Sequence, residues 1–219
     1  MQFSFANQGL VWSDAYFLAE GVLNTIRLAT AATLVGTLAG IALGWLRTVS
    51  VTVRIATAPF IDILRSVPML IQLILANSFL SILGFGGASP FWFGTVALGA
   101  WMSAVTAEVV RASLLAVPNQ YRRSARSLGM NGYQELLYVS MPLAFRTGLA
   151  PWIGLVLSLI KDSALAGVVG YVEYMRSTQI LITRTHETWL LLMGAGLFYF
   201  LICYPVSRYS RHLERKVRV

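Results

Sequence analysis

The chain has 219 residues, of which 57% are hydrophobic and only 12% are charged. A soluble domain usually carries about 25% charged residues, so this composition excludes an ordinary soluble fold. The net charge of +8 would favour nucleic-acid binding in a soluble protein, but here the basic residues lie between long apolar runs and instead report membrane topology. The single cysteine, Cys203, excludes a disulfide framework.

Five apolar runs are long enough to cross a bilayer, since one crossing needs about 20 apolar residues. We expect helices, because a spanning segment must satisfy its own backbone hydrogen bonds, and the alternation of a membrane barrel is absent. The predicted fold class is therefore all-α, with five transmembrane helices. The runs cover residues 22–46, 57–83, 91–115, 147–170 and 188–209.

Lysine and arginine residues are distributed unequally between the connections. The first and third connections and the C-terminal tail carry twelve of them, whereas the second carries none and the fourth carries Arg176 and Arg184. Because basic loops stay in the cytoplasm, the N-terminus is predicted outside and the C-terminus inside. This predicts a periplasmic segment 1–21, a transmembrane domain 22–209 and a cytoplasmic basic tail 210–219.

The third connection, residues 117–142, has a helical pattern. Tyr121–Leu128 contains good helix formers, and Gly129 follows where a helix stop belongs. Asn131 with Gln134 three residues later resembles a capping box. Two short helices bent at Gly129 are predicted, and a solvated loop is the alternative.

Ionisable residues within the predicted spans are costly and therefore informative. Asp62 and Arg65 lie three residues apart in the second span, which fits either a structural ion pair or a role in a solute pathway. Glu108 and Arg111 have the same spacing near the basic end of the third span, where a structural pair is favoured.

Lys161 and Asp162 are adjacent in the fourth span. Neighbours on a helix point about 100° apart and do not face each other, so each needs another partner. A zwitterionic amino acid offers one group of each sign, and side chains of other helices are the alternative.

Two features of the first spans concern helix geometry. Pro68 removes a backbone donor inside the second span, so it predicts either a kink or a break that exposes carbonyls to a substrate. Gly36, Gly40 and Gly44 lie four apart on the first span, a spacing typical of close helix packing, including contact between subunits.

The sequence contains no motif that indicates an enzyme active site. A phosphate-binding loop requires GxxxxGK[ST], and neither Lys161 nor Lys216 has that context. His186 and His212 lack a second metal ligand at helical spacing, and no paired nucleophile and base is evident. We therefore predict no cofactor and no metal, and ATP hydrolysis would require another chain.

Four segments in order resemble the permeases of polar amino acid ABC importers, such as the histidine, glutamine and glutamate/aspartate systems. The first resembles the family's R-[GS]-[TV]-P-x-L-x-Q segment, the second its AExxRG…IP segment, the third the EAA loop and the fourth the KDTSL segment. They are Leu64–Gln72, Ala107–Arg111 with Val117 and Pro118, Arg123–Gly129 continuing to Met141 and Pro142, and Lys161–Leu165. Arg123 and Ser124 depart from the glutamate and first alanine of the EAA loop.

The resemblance implies a type I ABC importer permease with cytoplasmic coupling helices in the bacterial inner membrane. It implies a second permease subunit, identical or different, a dimer of ATP-binding subunits, and a periplasmic amino-acid-binding protein. It also implies substrate contacts by Lys161, Asp162, Ser163 and Arg65. The implied contacts with the ATPase involve Ser124, Ala125 and Gly129.

A channel or a structural subunit of another membrane complex is the competing interpretation. The intramembrane charges do not favour one class of amino acid, because three basic residues balance three acidic ones. These are Arg27, Arg65 and Lys161 against Asp62, Glu108 and Asp162.

Overall fold

The computed structural model describes residues 9–217, and these residues form helices and no strand. Two π-helical segments, Ser81–Phe85 and Leu136–Ser140, and one 3-10 segment, Ser163–Val169, adjoin the α-helices. Residues 1–8 of the predicted outer segment and 218–219 of the basic tail lie outside the described residues. The α-helices are α1 (Trp12–Val49), α2 (Val51–Ser66), α3 (Met69–Leu80), α4 (Pro90–Leu115), α5 (Asn119–Ser127), α6 (Gly132–Glu135), α7 (Met141–Asp162), α8 (Tyr174–Thr185) and α9 (Thr188–Val217).

The all-α membrane fold predicted from the apolar runs is confirmed. Four described helical stretches are long and apolar enough to cross a membrane, and α2 with α3 makes a fifth crossing if this broken pair is counted as one. The helices extend beyond the apolar runs, since α1 begins ten residues before Val22 and α9 continues past Tyr209. Asp14 in the first turn favours this start of α1, because a negative charge is stabilising at a helix N-terminus.

The second predicted span is not one helix. Val67 adopts an extended conformation with ψ of 130°, and α3 restarts at Met69. Pro68 is the cause, because it lacks an N–H and disfavours a helical conformation at the preceding residue. The sequence is compatible with either a kink or a break of the helix at Pro68, and the structure shows that the helix is broken there.

Of the two short helices predicted in the third connection, the first is present as α5, whereas the second is not separate: the helix that starts at Gly132 continues into α7 as one helical stretch, Gly132–Val169. Gly129 has φ of +84°, and the amides of Gly129 and Met130 donate to the carbonyls of Arg126 and Ala125. This pair of bonds is the Schellman arrangement that ends α5. Asn131 accepts from the Gln134 amide at 2.9 Å, while the Gln134 side chain accepts from the Asn131 amide at 3.0 Å. The predicted capping box is therefore confirmed.

The described chain divides into two compact units. The first unit comprises residues up to 32, 69–98 and 159–204, and the second comprises 33–68, 99–158 and 205 onward. In the first unit α3 packs against the 3-10 segment. In the second, Ile61, Ala104 and Ala107 form a buried apolar cluster, and Leu114, Val117 and Ala144 form another.

The glycine stripe of the first span packs α1 against α4 within the second unit. A Cβ at Gly36 would lie 2.5 Å from Met102, one at Gly40 2.6 Å from Thr106, and one at Gly44 2.7 Å from the Ala107 carbonyl. Only glycine permits backbones to approach this closely. The stripe thus makes a contact within the chain.

The ion pair predicted between Glu108 and Arg111 is not formed, because α1 packs close against α4. Glu108 pairs with Arg47 of α1, not with Arg111 three residues away on its own helix. Arg47 is buried, so a charged partner on the facing helix offsets the cost of removing it from water.

Candidate functional site

The predicted substrate residues of the fourth span lie where α7 changes into the 3-10 segment. Lys161 is exposed, Asp162 is half-buried, and neither forms an ion pair within the part of the chain that the structure describes. Ser163 is fully buried and its hydroxyl donates to the Ile160 carbonyl at 2.8 Å. The two charged side chains are therefore better placed than Ser163 to contact a solute.

A clamped loop follows these residues in the first unit. Gly170, with φ of +86°, ends the 3-10 segment, and the Tyr171 amide bonds back to the Ala166 carbonyl at 3.2 Å. Two hydrogen bonds tie the loop to Asn24 of α1: its side chain donates to the Val172 carbonyl at 3.0 Å, and the Tyr171 hydroxyl donates to the Asn24 carbonyl at 3.1 Å. The loop is thereby fixed beside α1.

Glu173 is a fully buried carboxylate that begins α8. Its oxygens accept from the amides of Met175 and Arg176, each at 2.7 Å, and from the Tyr199 hydroxyl at 3.4 Å. Burial raises the pKa of Glu173 to about 7, and this effect outweighs the three donors, which act to lower the pKa. Glu173 thus changes charge near neutral pH.

Helix α8 was not predicted: only the two arginines of the fourth connection gave a signal in the sequence, and they indicate topology. Its polar side chains, Arg176, Gln179, Thr183 and Arg184, line a recess of about 310 Å³ together with Ile180. Arg184 forms an ion pair with the buried Asp14 of α1. In this unit a Cβ at Gly21 would lie 2.7 Å from the Ser177 hydroxyl, so α8 packs tightly against α1.

Arg65 belongs to the second unit, whereas Lys161, Asp162 and Ser163 belong to the first. Arg65 lies in the last turn of α2, where the helix dipole favours a cation. Both Arg65 and Asp62 are exposed, and they form no ion pair with each other in the described chain. The structural-pair interpretation of their spacing is therefore wrong.

The connection predicted to contact an ATPase exposes a basic helix, α5. Ser124 is exposed, Ala125 is buried against the rest of the second unit, and Gly129 is exposed at the helix end. Arg123 and Arg126 are exposed as well, so the outer face of α5 carries positive charge. Arg122 points inward, and its guanidinium donates to the Leu114 carbonyl of α4 at 2.6 Å.

Membrane-length helices, a broken second crossing and a capped helical connection define a multi-pass helical membrane protein. The chain belongs to the family of binding-protein-dependent transport system inner membrane components, whose model matches residues 36–219. It is therefore a permease of the amino acid ABC importer kind, a family of transporter subunits and not of enzymes.

Similar proteins agree with this assignment along the whole chain. The chain is 26% identical over 222 residues to the glutamine transport system permease protein GlnP of Escherichia coli, with all of both chains covered. It is 29% identical to the L-cystine transport system permease protein TcyB of Bacillus subtilis, over 72% of this chain and 68% of that one.

Solved structures share the fold. A crystal structure of an amino acid ABC transporter with histidines matches with a TM-score of 0.84 at 26% identity, covering 92% of this chain and 94% of the other. An inward-facing MetNI methionine ABC transporter matches with a TM-score of 0.78 at 19% identity, covering 96% of this chain and 100% of the other. The latter likeness concerns the fold alone.

Proposed function

We propose that this chain is the permease subunit of an importer that moves a polar amino acid across the inner membrane, driven by ATP hydrolysis in separate subunits. The observation that carries the proposal is the arrangement of the third connection. The short helix α5 and the start of the helix that follows it meet at Gly129 and the Asn131 capping box, and together they form a basic projection from the second unit. A projection of this kind is suited to transmit motion from another chain, whereas a channel does not need one.

The orientation follows from the basic residues. Since the connection with α5 carries Arg122, Arg123 and Arg126, it is assigned to the cytoplasm by the positive-inside rule. The N-terminus and α8 then face the periplasm, where a binding protein delivers the solute. Ser124, Ala125 and Gly129 are assigned to the contact with the ATPase.

The substrate contacts are assigned to Lys161 and Asp162, which are adjacent, oppositely charged and without an ion pair in the described chain. An amino acid supplies a carboxylate for the first and an ammonium for the second. Arg65 is a further candidate for the carboxylate, because it too is an exposed cation without an ion pair among the described residues. Ser163 is assigned to positioning this segment, since its hydroxyl is already bonded to the Ile160 carbonyl.

The test of the transport proposal is uptake by the purified complex in vesicles, with a panel of labelled amino acids. The complex should retain a Walker-type ATPase, and uptake should require ATP on the cytoplasmic side and the binding protein on the other. Uptake that runs down a gradient without ATP would identify a channel and refute the proposal.

The substrate contacts are tested with Asp162→Asn and Lys161→Met at matched folded amounts. Loss of a direct charge contact from a water-poor site should cost about 2–5 kcal/mol of binding free energy. Glu20→Gln is the matched control, because Glu20 is an exposed carboxylate of the first unit far from α7 in the sequence. If both variants keep wild-type affinity and selectivity across the panel, these two residues are structural.

A further inference from the structure

The second unit contains a cleft of about 580 Å³ between α1, α4 and α7 that the transport proposal does not use. Aromatic and aliphatic side chains form its walls: Ile41 and Trp45 from α1, Val109 and Leu114 from α4, and Phe145 and Trp152 from α7. Among the residues that the structure describes, no charged one lines the cleft. The polar lining residues are Thr37, Thr106 and Ser113, and the Thr37 hydroxyl accepts a hydrogen bond from the Trp152 indole N–H at 3.1 Å. A polar amino acid would find no counter-charge here, so the cleft is not a solute site.

The length of the cleft matches one leaflet of a bilayer. On α1 the lining runs from Thr37 to Trp45 and on α4 from Thr106 to Leu114, which is about 12 Å along each helix. On α7 it runs from Met141 to Trp152, about 16 Å. The hydrocarbon core of a bilayer is about 30 Å thick, so one leaflet is about 15 Å. A helix of a second permease copy would extend along both leaflets, whereas a lipid acyl chain extends along one.

Trp45, Leu114 and Met141 form one end of the cleft, and the guanidinium of Arg122 lies near this end. Arg122 donates from Nη2 to the carbonyl of Leu114 at 2.6 Å, which brings its guanidinium to this end. An arginine carries five N–H donors, and the bond to Leu114 uses one of them. The Nε of Arg122 is buried beneath the chain's own atoms, so only the Nη groups of this partly exposed side chain are open to a ligand. Phosphate is an acceptor whose geometry suits a guanidinium.

We propose that this cleft is a specific phospholipid site, with an acyl chain along α1, α4 and α7 and the phosphate at Arg122. The site lies on the basic side of the second unit, where Arg122 precedes the exposed Arg123 and Arg126 of α5. A bound lipid thereby joins the spanning helices to the connection assigned to the ATPase. Lipid occupancy is thus a means by which the membrane stabilises the position of α5.

The test measures lipid retained by the purified complex, after delipidation in detergent and titration with dioleoyl phosphatidylglycerol, by native mass spectrometry. One phospholipid per permease chain should be retained. Ala42→Phe places a ring in the cleft, because Ala42 lines it and is exposed, and should abolish retention. Ala39→Phe is the matched control, since Ala39 is an exposed alanine of α1 outside the lining, and it should retain the lipid. Equal retention by the two variants would overturn the proposal.

The phosphate contact is tested with dioleoylglycerol, which has the same acyl chains and no phosphate. Wild type should bind phosphatidylglycerol about fivefold more tightly than dioleoylglycerol, and Arg122→Gln should remove that difference. Arg123→Gln, at an exposed neighbour, should preserve it. An unchanged preference in Arg122→Gln would refute the headgroup assignment.

A measurement on the unmodified cleft guards against failure of Ala42→Phe to fold. Phosphatidylglycerol brominated in its acyl chains should quench tryptophan fluorescence of wild type at about one lipid per chain. Replacing Trp45 and Trp152 with phenylalanine should remove most of this quenching. Quenching that persists in the double variant, or a wild-type complex that retains no lipid and covers the cleft with its second permease copy, would overturn the proposal.

Discussion

Replacing Gly129 with valine should uncouple the permease from its ATPase without unfolding it. Gly129 has φ of +84°, a region in which an L-residue is strained by about 1–2 kcal/mol. A Cβ there would meet no atom within 4 Å, so the cost is backbone strain and not a clash. If the valine leaves this region, the hydrogen bonds from Gly129 and Met130 that end α5 are lost, at about 0.5–1.5 kcal/mol each.

These costs are small beside the total stability of a typical protein, about 5–15 kcal/mol, but they all fall on the bend between α5 and α6. We therefore expect normal membrane insertion and only a small fall in the thermal midpoint of Gly129→Val, with a large loss of solute-stimulated ATPase activity and transport. The assay compares stimulated and basal ATP hydrolysis by the reconstituted complex at matched folded amounts.

Two control variants separate backbone strain from side-chain size. Gly129→Asn should resemble wild type, because asparagine tolerates the left-handed region better than valine. Gly132→Val, at the first residue of α6, should also resemble wild type, since its Cβ would meet only the end of the Arg126 side chain at 4.0 Å. Normal ATPase stimulation by Gly129→Val, or equal loss in Gly132→Val, would refute the argument.

Three further predictions test orientation, packing and charge. In a background without the native cysteine, a cysteine at position 89 in place of Ser89 should react with an impermeant reagent from the periplasm, and one replacing Ser210 should not; the reverse would invert the topology. Gly40→Ala should destabilise the protein by about 1–3 kcal/mol, because its Cβ would lie 2.6 Å from an α4 atom, whereas Gly154→Ala meets nothing within 4 Å and should have little effect on the thermal midpoint. Burial raises the pKa of Glu173 to about 7, so the contribution of this carboxyl group to stability is present below its unfolded pKa near 4.5 and is lost as pH rises through 7. Between pH 4.5 and 7 the thermal midpoint of wild type should therefore fall relative to that of Glu173→Gln. Parallel plots of thermal midpoint against pH for the two proteins would contradict this.

Local signals in the sequence determined much of this structure. The apolar runs set the all-α membrane fold, Pro68 interrupts the second crossing, and Gly129 with the Asn131 capping box sets the α5–α6 connection. Each depends on a hydrogen bond, a missing donor or a backbone angle within a few residues. The nearest neighbours in the chain therefore suffice to predict them.

Tertiary structure alone decided which charges meet and which are buried. Glu108 could pair with Arg111 by spacing, but its partner is Arg47, 61 residues away, because the glycine stripe brings α1 against α4. The burial of Glu173 could not be predicted from the sequence. It depends on segments far apart in the chain, including α9, whose Tyr199 hydroxyl bonds to this carboxylate. The cost of burying a charge depends on everything packed around it, and that environment exists only once distant segments have come together.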